Sequence, residues 1–278
     1  MTTSSTLEEL AQQALEGDRD ALDSLVRALQ GDLYGLSLRM LWNREDAEDA
    51  TQEILVRIVT RLSQFNTESR VKTWAYRVGV NYILDAKKSA VERLHVSFER
   101  FAEDLEGGLQ PSSAGDAERS LLIDEVKVGC SLALLQCLGR PHRLAYVLGD
   151  IMELSGPEAA EVLDINAALF RKRLQLAREQ IRAFMRVHCG LVSDLAPCQC
   201  NRRVPGPDTG GADEARPLHF ARRSTSFAEA RALVRRVDEA RWSLEVHRSS
   251  QPRAASVDFA QRLLTAIDRA VGDGPRHS

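Results

Sequence analysis

Apolar residues recur every three or four positions along most of the chain, with polar residues between them. Four such stripes precede residue 90: Leu22, Leu25, Val26 and Leu29; Leu33, Leu36 and Met40; Ala47, Ala50, Ile54, Ile58 and Leu62; and Trp74, Val78 and Tyr82. This spacing places the apolar residues of each segment on one face of an α-helix. We therefore expect a small helical bundle over residues 7–92, with Trp74 packed in its core.

The pattern changes after this bundle and then returns. Residues 93–120 are rich in acids, glycine and serine without helical periodicity, which predicts an acidic, flexible linker that is extended from Phe98 to Asp116. Helical periodicity resumes over residues 121–187, followed by a Cys/His segment at 188–204 and a C-terminal extension with linker and helices at 205–278. The predicted fold is all-α: two helical domains joined by the linker, plus a helical C-terminal extension.

The composition agrees with helices and restricts the location of the protein. Of the 278 residues, 44% are apolar and only 5% are aromatic, which favours helices packed through aliphatic side chains. No apolar run approaches the ~20 residues of a membrane-spanning helix, and the polar segment Met1–Leu7 lacks a secretion signal. We expect a cytoplasmic protein without membrane contact, whose five cysteines are mostly reduced.

Residues 141–166 carry the sequence signals of a helix-turn-helix. Pro141 suits the first turn of a helix, and Ser155 with Glu158 matches a capping box before a short second helix. The segment Asp164-Ile165-Asn166 predicts a tight turn, because Asp164 tolerates the left-handed conformation and Asn166 is a good N-cap. This helix–turn–helix spacing is typical of DNA-binding domains.

The helix expected after Asn166 has one apolar and one basic face. Its apolar face consists of Phe170, Leu174, Ala177, Ile181 and Phe184. The candidates for DNA contact are Asn166, Arg171, Lys172, Arg173, Gln175, Arg178 and Arg182. In the major groove, arginine binds guanine edges and glutamine binds adenine edges. The alternative is that the basic face of this helix is simply solvated. For the whole chain, the net charge of −3 indicates weak DNA binding by the free protein.

Three groups of motifs, in this order, resemble those of the extracytoplasmic-function (ECF) RNA polymerase sigma factors. The segment DAEDATQE at 46–53, and the segments KTWAYRV at 72–78 and NYILD at 81–85, resemble domain two of that family. The segment VLDIN at 162–166, with Phe170, Arg173-Leu174 and Ala177-Arg178, is similar to domain four. The resemblance covers about residues 15–185, so the chain resembles an ECF sigma factor with a cysteine-bearing C-terminal extension.

The resemblance implies a function in transcription initiation. A sigma factor of this family binds core RNA polymerase, through the β′ clamp helices and the β flap, and directs it to promoter DNA. The residues that would face the clamp helices are Asp46, Glu48, Asp49, Gln52 and Glu53, whose carboxylates and amide complement a basic surface. An anti-sigma factor, or self-regulation by the C-terminal extension, would control the protein. On charge alone, a solvated acidic face is the alternative.

The resemblance also places promoter melting in the helix that follows residue 70. The candidate DNA contacts are Arg70, Lys72, Tyr76, Arg77, Asn81 and Lys88, with Tyr76 expected to be partly exposed. The Arg and Lys side chains can contact the phosphates of a separated DNA strand. Asn81 could hydrogen-bond the edge of an extruded base. In this family a loop before the melting helix forms most of the base pocket, and residues 64–69 occupy that place. The acidic linker would extend towards the active-site channel of polymerase.

The chemistry of His188, Cys189, Cys198 and Cys200 is left open by the sequence. Three thiols and an imidazole could ligate zinc or form a thiol switch, but the Cys-x-Cys spacing differs from that of a standard zinc finger. Unliganded cysteines are the third alternative. A sigma factor requires no cofactor, so zinc at this cluster is the single cofactor that the sequence suggests.

Two other classes of function compete with this hypothesis. A metal- or redox-responsive helix-turn-helix regulator would shift duplex DNA by itself, whereas a sigma factor would bind core polymerase. An enzyme is disfavoured because the sequence has no nucleophile motif, phosphate-binding glycine loop or paired catalytic carboxylates.

Overall fold

The computed structural model describes residues 6–65, 69–86, 96–107, 117–204, 255 and 257–272. The α-helices are α1 Leu7–Leu15, α2 Arg19–Leu41, α3 Arg44–Thr60, α4 Val71–Asp85, α5 Phe98–Glu106, α6 Ala117–Gln136, α7 Arg140–Tyr146, α8 Gly156–Val162, α9 Ala167–His188 and α10 Phe259–Gly272. These residues form no β-strand, apart from one isolated bridge, so the predicted all-α fold is confirmed. Within the same ranges, no helix has both the length and the apolar character needed to cross a membrane.

The helices form two compact units. The first contains α1 to α4, α8 from Pro157 onward, and α10; the second contains α5, α6, α7 and α9. The domain limits expected from the sequence are continuous ranges of residues, and they stay a prediction.

Helices α2 and α3 make up the centre of the first unit. The Asp18 carboxylate accepts hydrogen bonds from the first turn of α2, and Asn43 does the same for α3. Between them, Trp42 ends α2 in the left-handed conformation, with φ at 50°. The apolar stripes predicted for these helices are buried, and their buried members include Leu25, Leu29, Leu33, Leu36, Met40, Ala47, Ala50, Ile54 and Ile58.

Helix α4 approaches α2 and α3 closely at Gly79. A Cβ atom at this position would lie 3.2 Å from Leu33 Cδ2 and 3.6 Å from Ile54 Cγ2. The glycine therefore lets α4 pack tightly on the centre of the unit, and the side of α4 away from Gly79 carries exposed polar residues such as Asn81.

Residues 98–106 of the predicted linker form helix α5, so the interpretation of this segment as extended is wrong. Ser97 Oγ accepts a hydrogen bond from the backbone of Arg100 at 3.2 Å and caps the helix. Phe101 and Leu105 are buried, and the Phe101 ring stacks on Phe184 of α9 with 5.4 Å between centroids. Apolar residues spaced i, i+3 and i+7 within the acidic sequence stabilise this helix by packing on α9. Residues 108–116 of the predicted linker lie outside the described residues.

The helices of the predicted helix-turn-helix begin close to the expected residues. Pro141 lies in the first turn of α7, which continues into a π-helical turn at Val147–Ile151. Helix α8 begins directly after Ser155, and α9 begins directly after Asn166. Asp164 has a φ of 51°, which confirms the left-handed turn residue expected from the sequence.

Candidate nucleic-acid interface

One face of α3 is acidic and open to solvent. Asp46, Asp49 and Glu53 are exposed, while Glu48 and Gln52 are half-buried on the flank of the same face. Arg44 Nε donates to Glu48 Oε1 at 3.1 Å, so the charge of Glu48 is balanced within the helix. The other side of α3 is buried in the core. The structure thus brings the five predicted polymerase contacts onto one side of a single helix, and three of them are exposed.

A cavity of about 420 Å³ lies between the end of α3 and the outer face of α4. It is lined by Arg57, Arg61, Gln64, Trp74, Arg77, Val78, Asn81, Leu84 and Asp85. Three guanidinium groups, two carboxamides and an indole therefore surround one space. Guanidinium groups bind phosphates, carboxamides hydrogen-bond base edges, and an indole face stacks on bases.

Aromatic contacts support the walls of this cavity. The Trp74 ring lies 5.5 Å from the Phe65 ring, between centroids, at an interplanar angle of 54°. The Arg57 guanidinium lies over the Tyr82 ring, 4.7 Å from its centroid, an arrangement that favours the cation. Trp74 is half-buried and lines the cavity, so the expectation that it is a core residue is wrong. Its indole is placed where it can contact a ligand.

Tyr76 is buried, and the expectation that it is partly exposed is wrong. Only 1% of its surface is accessible, and its hydroxyl donates to Asp32 Oδ2 at 2.6 Å. Burial and this hydrogen bond raise the pKa of Tyr76 above its ordinary value. The reason is helical phase: Tyr76 lies on the side of α4 that packs on α2. Lys72 also pairs with Asp32, at 2.8 Å, and remains exposed.

Arg70 and Arg77 are paired with carboxylates of α8, which belongs to the same unit. Arg70, the N-cap residue of α4, lies 3.3 Å from Glu158 Oε1. Arg77 Nη2 lies 3.6 Å from Glu161 Oε1. The Arg77 guanidinium also donates to the backbone carbonyl of Glu161, from Nε at 3.1 Å and from Nη2 at 2.7 Å. Both cations would have to exchange these partners in order to contact phosphates. Lys88, the sixth candidate of the melting region, lies outside the described residues.

Helix α9 has the two faces that its sequence predicts. Its apolar face is buried at all five positions: Phe170, Leu174, Ala177, Ile181 and Phe184. Close to its beginning, Asn166, Arg171, Lys172 and Gln175 are exposed, and Arg173 is half-buried. Gln175 Nε2 donates to Glu179 Oε1 at 2.9 Å, and the half-buried Arg182 donates to the carbonyl of Arg178 at 3.2 Å. The first two turns of α9 therefore present a basic surface.

Arg178 makes a bidentate ion pair with Asp150. Its Nε lies 2.9 Å from Asp150 Oδ2, and its Nη2 lies 2.5 Å from Oδ1. Only 7% of the Asp150 side chain is exposed, and this carboxylate raises the pKa of Arg178 above its ordinary value. A DNA contact by Arg178 would require this pair to open.

The predicted zinc site is not supported. Within the described ranges, no three His, Cys, Asp or Glu side chains are grouped so that they could hold a metal ion. The His188 ring packs against Phe184, with 4.7 Å between centroids, and its Nδ1 lies 3.8 Å from Glu106 Oε1. Cys189 and Cys198 face each other across an isolated backbone bridge, and all five cysteines are free.

Burial explains the protonation of these thiols. It raises the pKa of Cys189 to about 11 and that of Cys200 well above its ordinary value. Cys130 of α6 shows the same direction, because desolvation of its thiol disfavours the thiolate. These thiols are therefore protonated at neutral pH.

The cavity residues that the sequence did not predict as DNA contacts include Arg57, Arg61 and Trp74. A signal for the two arginines existed, because they are four residues apart at the end of α3 and so share one side of it. No local pattern distinguishes a half-buried Trp74 from a core tryptophan. Its exposure depends on how α4 sits against α3.

The chain is similar to known proteins over nearly two thirds of its length. The Sigma-70 region 2 family model matches residues 25–92. The ECF RNA polymerase sigma factor SigW of Bacillus subtilis is 30% identical over 186 residues, which cover 63% of this chain and 94% of SigW. The RNA polymerase sigma-H factor of Pseudomonas aeruginosa is 29% identical over 187 residues, which cover 65% of this chain and 94% of that protein.

Among solved structures, the chain is similar to CnrH in complex with the cytosolic domain of CnrY. The TM-score is 0.47 at 22% identity, over 63% of this chain and 94% of that one. It is also similar to the sigma factor RpoE in complex with the anti-sigma factor NepR from Bartonella quintana. There the TM-score is 0.42 at 17% identity, over 58% of this chain and 94% of that one.

Proposed function

This chain belongs to the ECF family of RNA polymerase sigma factors, and from this premise we propose that its first unit contacts core polymerase through α3 and opens promoter DNA at the cavity beside α4. Sigma factors of this family bind core RNA polymerase, direct it to promoter DNA and regulate transcription without a catalytic activity of their own.

The observation that carries the proposal is the division of charge along α3. Residues 44–53 of this helix expose the carboxylates of Asp46, Asp49 and Glu53, and its end contributes Arg57 and Arg61 to the cavity. An acidic face complements a basic protein surface, whereas guanidinium groups attract phosphates. One helix can therefore hold polymerase on one side and a melted DNA strand at its end.

The cavity suits a single unstacked base better than a duplex. Its volume of about 420 Å³ falls within the ~300–1,000 Å³ range of small-ligand pockets. Trp74 would stack on the base, Asn81 or Gln64 would hydrogen-bond its edge, and Arg57, Arg61 and Arg77 would neutralise the adjoining phosphates. This assignment places the melting site on α4 and on the residues that precede it, as the sequence predicts.

Helix α9 is proposed to contact the upstream promoter element. Arg171, Lys172 and Gln175 are exposed near its beginning, and these residue types bind base edges and phosphates in the major groove.

The polymerase contact is tested by measuring the affinity of the full chain for core enzyme. We expect the variant Asp49→Asn/Glu53→Gln to bind core about tenfold more weakly, because two charge pairs with the partner are lost. The matched control, Glu16→Gln/Glu103→Gln, removes two exposed carboxylates elsewhere and should bind like the wild type. Equal affinities for all three proteins would refute the assignment of α3.

The melting site is tested on the holoenzyme by permanganate footprinting of promoter thymines. We expect Trp74→Ala and Asn81→Ala to reduce strand opening about tenfold without weakening core binding, since base–aromatic stacking is worth ~1–3 kcal/mol. Tyr76→Phe on the same helix is the control and should open the promoter normally, because Tyr76 is buried. Normal opening by both Trp74→Ala and Asn81→Ala would exclude this cavity.

A further inference from the structure

We propose that α10, at the end of the C-terminal extension, is an inhibitory helix that binds the first unit in cis and obstructs the approach of core polymerase to α3. This inference rests on the assignment of α3 as the polymerase contact. Residues 205–258 separate α10 from the Cys/His segment, yet α10 packs on α2 and α3, and all three helices belong to the same compact unit.

The contact is made by an apolar stripe at the beginning of α10. Phe259, Ala260 and Leu263 are 2%, 0% and 5% exposed, respectively. The Phe259 ring lies 6.2 Å from the Tyr34 ring, between centroids, at an interplanar angle of 39°. The opposite side of the helix, including Gln261 and Thr265, is exposed. Helix α10 is therefore amphipathic, and it buries its apolar stripe on the first unit.

Polar contacts set the register of α10 along α2. Arg27 Nη1 lies 2.9 Å from Asp258 Oδ2, and the backbone of Ala260 donates to Gln30 Oε1 at 3.3 Å. Towards the other end of α10, Asp268 pairs with Arg19. Increasing residue numbers in α10 therefore meet decreasing numbers in α2, so the two helices are antiparallel. Contacts at both ends define one specific position for α10.

This position lies next to the polymerase-binding face. Phe259 packs against Tyr34 of α2, and α10 also contacts α3. Burial raises the pKa of the Tyr34 hydroxyl, which also interacts with Arg44 and Glu48 at the beginning of α3. Asp46, Asp49 and Glu53 stay exposed with α10 in place. Helix α10 thus covers one flank of the face and leaves its centre open. A large protein that docks across α3 would collide with α10, whereas small solutes would not.

Attachment to the same chain favours the covered state, because it gives α10 a high effective concentration at its site. Core polymerase must displace the helix before it binds. The apparent affinity for core polymerase is therefore the intrinsic affinity multiplied by the fraction of molecules in which the site is uncovered. Release of α10 would therefore activate the sigma factor, and whatever binds or removes the C-terminal extension would act as the inducing signal.

The test compares the affinities of full-length proteins for core polymerase. The variant Phe259→Ala/Leu263→Ala removes the apolar stripe, and we expect it to bind core about 3- to 10-fold more tightly than the wild type. The control Gln261→Ala/Thr265→Ala changes the exposed side of α10 and should leave the affinity unchanged. A wild-type affinity for Phe259→Ala/Leu263→Ala would overturn the proposal.

A second measurement separates this inference from the assignment of α3. Hydrogen–deuterium exchange of residues 259–269 is followed in the free chain and after addition of core enzyme. We expect exchange to increase when core binds, because α10 leaves its site. If exchange stays slow in the holoenzyme, α10 does not obstruct polymerase, whatever the variants of Asp49 and Glu53 show. If exchange rises while those variants bind normally, core displaces α10 by a contact other than the α3 face.

Discussion

Asp150 is a nearly buried carboxylate whose charge is balanced by Arg178. The side chain of Asp150 is 7% exposed and accepts three hydrogen bonds from the guanidinium. A buried ion pair contributes little relative to apolar residues, but loss of one partner leaves an uncompensated charge in the protein interior. The pair connects the π-helical turn at Val147–Ile151 to α9.

We predict that Asp150→Asn lowers the free energy of unfolding by about 2–3 kcal/mol, because Arg178 loses its counter-charge in a partly buried position. Urea denaturation followed by circular dichroism measures the change. Glu179→Gln, an exposed carboxylate one residue further along α9, is the control and should change stability by less than about 0.5 kcal/mol. A similar effect of both substitutions would contradict a structural role for Asp150.

The half-buried thiols of Cys137 and Cys189 lead to a prediction about pH. Burial raises the pKa of Cys189 to about 11 and that of Cys137 to about 12. A thiol whose pKa is raised stays protonated below that value, and only the thiolate is nucleophilic. We expect iodoacetamide to alkylate both cysteines slowly at pH 8 in the folded protein, and faster as the pH approaches 11. Mass spectrometry of tryptic peptides measures the rates, and rapid modification at pH 8 without unfolding would disprove the prediction.

At the scale of elements, α5 shows how a short apolar stripe can form a helix within an acidic sequence. Phe98 and Phe101 both contact Phe184, which also packs against His188. Residues of the expected linker therefore help to bury the end of α9. In addition, Arg203 donates to the carbonyl oxygens of Asp104 and Gly107 at 2.6 and 2.8 Å, at the end of α5. The Cys/His segment and α5 thus stabilise each other.

We predict that Phe101→Ala destabilises the second unit by about 3–4 kcal/mol, through lost burial and the cavity that remains. The measurement is thermal unfolding monitored by calorimetry, together with exchange rates of amides in α9. Glu103→Ala lies on the exposed side of α5 and serves as the control. If Phe101→Ala is as stable as Glu103→Ala, then α5 does not hold α9.

At the scale of the whole molecule, the net charge of −3 conceals a strong local separation of charge. The first unit has an acidic face on α3 and a cavity with three arginines at the end of the same helix. Arg70 and Arg77 are paired with acidic residues of the chain itself. This self-pairing agrees with weak DNA binding by the free protein, because each cation must first lose a partner.

The C-terminal helix α10 packs on helices α2 and α3 from the beginning of the chain. The bundle of α1 to α4 and the C-terminal helix α10 belong to one unit, although they come from opposite ends of the sequence. Under the proposal for α10, the self-regulation expected for the C-terminal extension is carried out by this helix on the surface of α2 and α3.

Local sequence alone determined most of the helices and the faces of the amphipathic ones. The apolar stripes of α2, α3 and α9, the turn at Asp164 and the order of the sigma-factor motifs were all predictable. The stripes and the turn depend on residues within about one helical turn of each other, so the interactions that form them are local. The acidic face of α3 was predictable for the same reason.

Tertiary structure alone decided which polar side chains remain available. Tyr76 is buried on Asp32, Arg178 is held by Asp150, and Trp74 lines a cavity instead of filling the core. The docking of α10 on α2 likewise joins residues more than 200 positions apart. Such pairs depend on how helices rotate and pack against each other, and helical periodicity gives the face of a residue but not its partner.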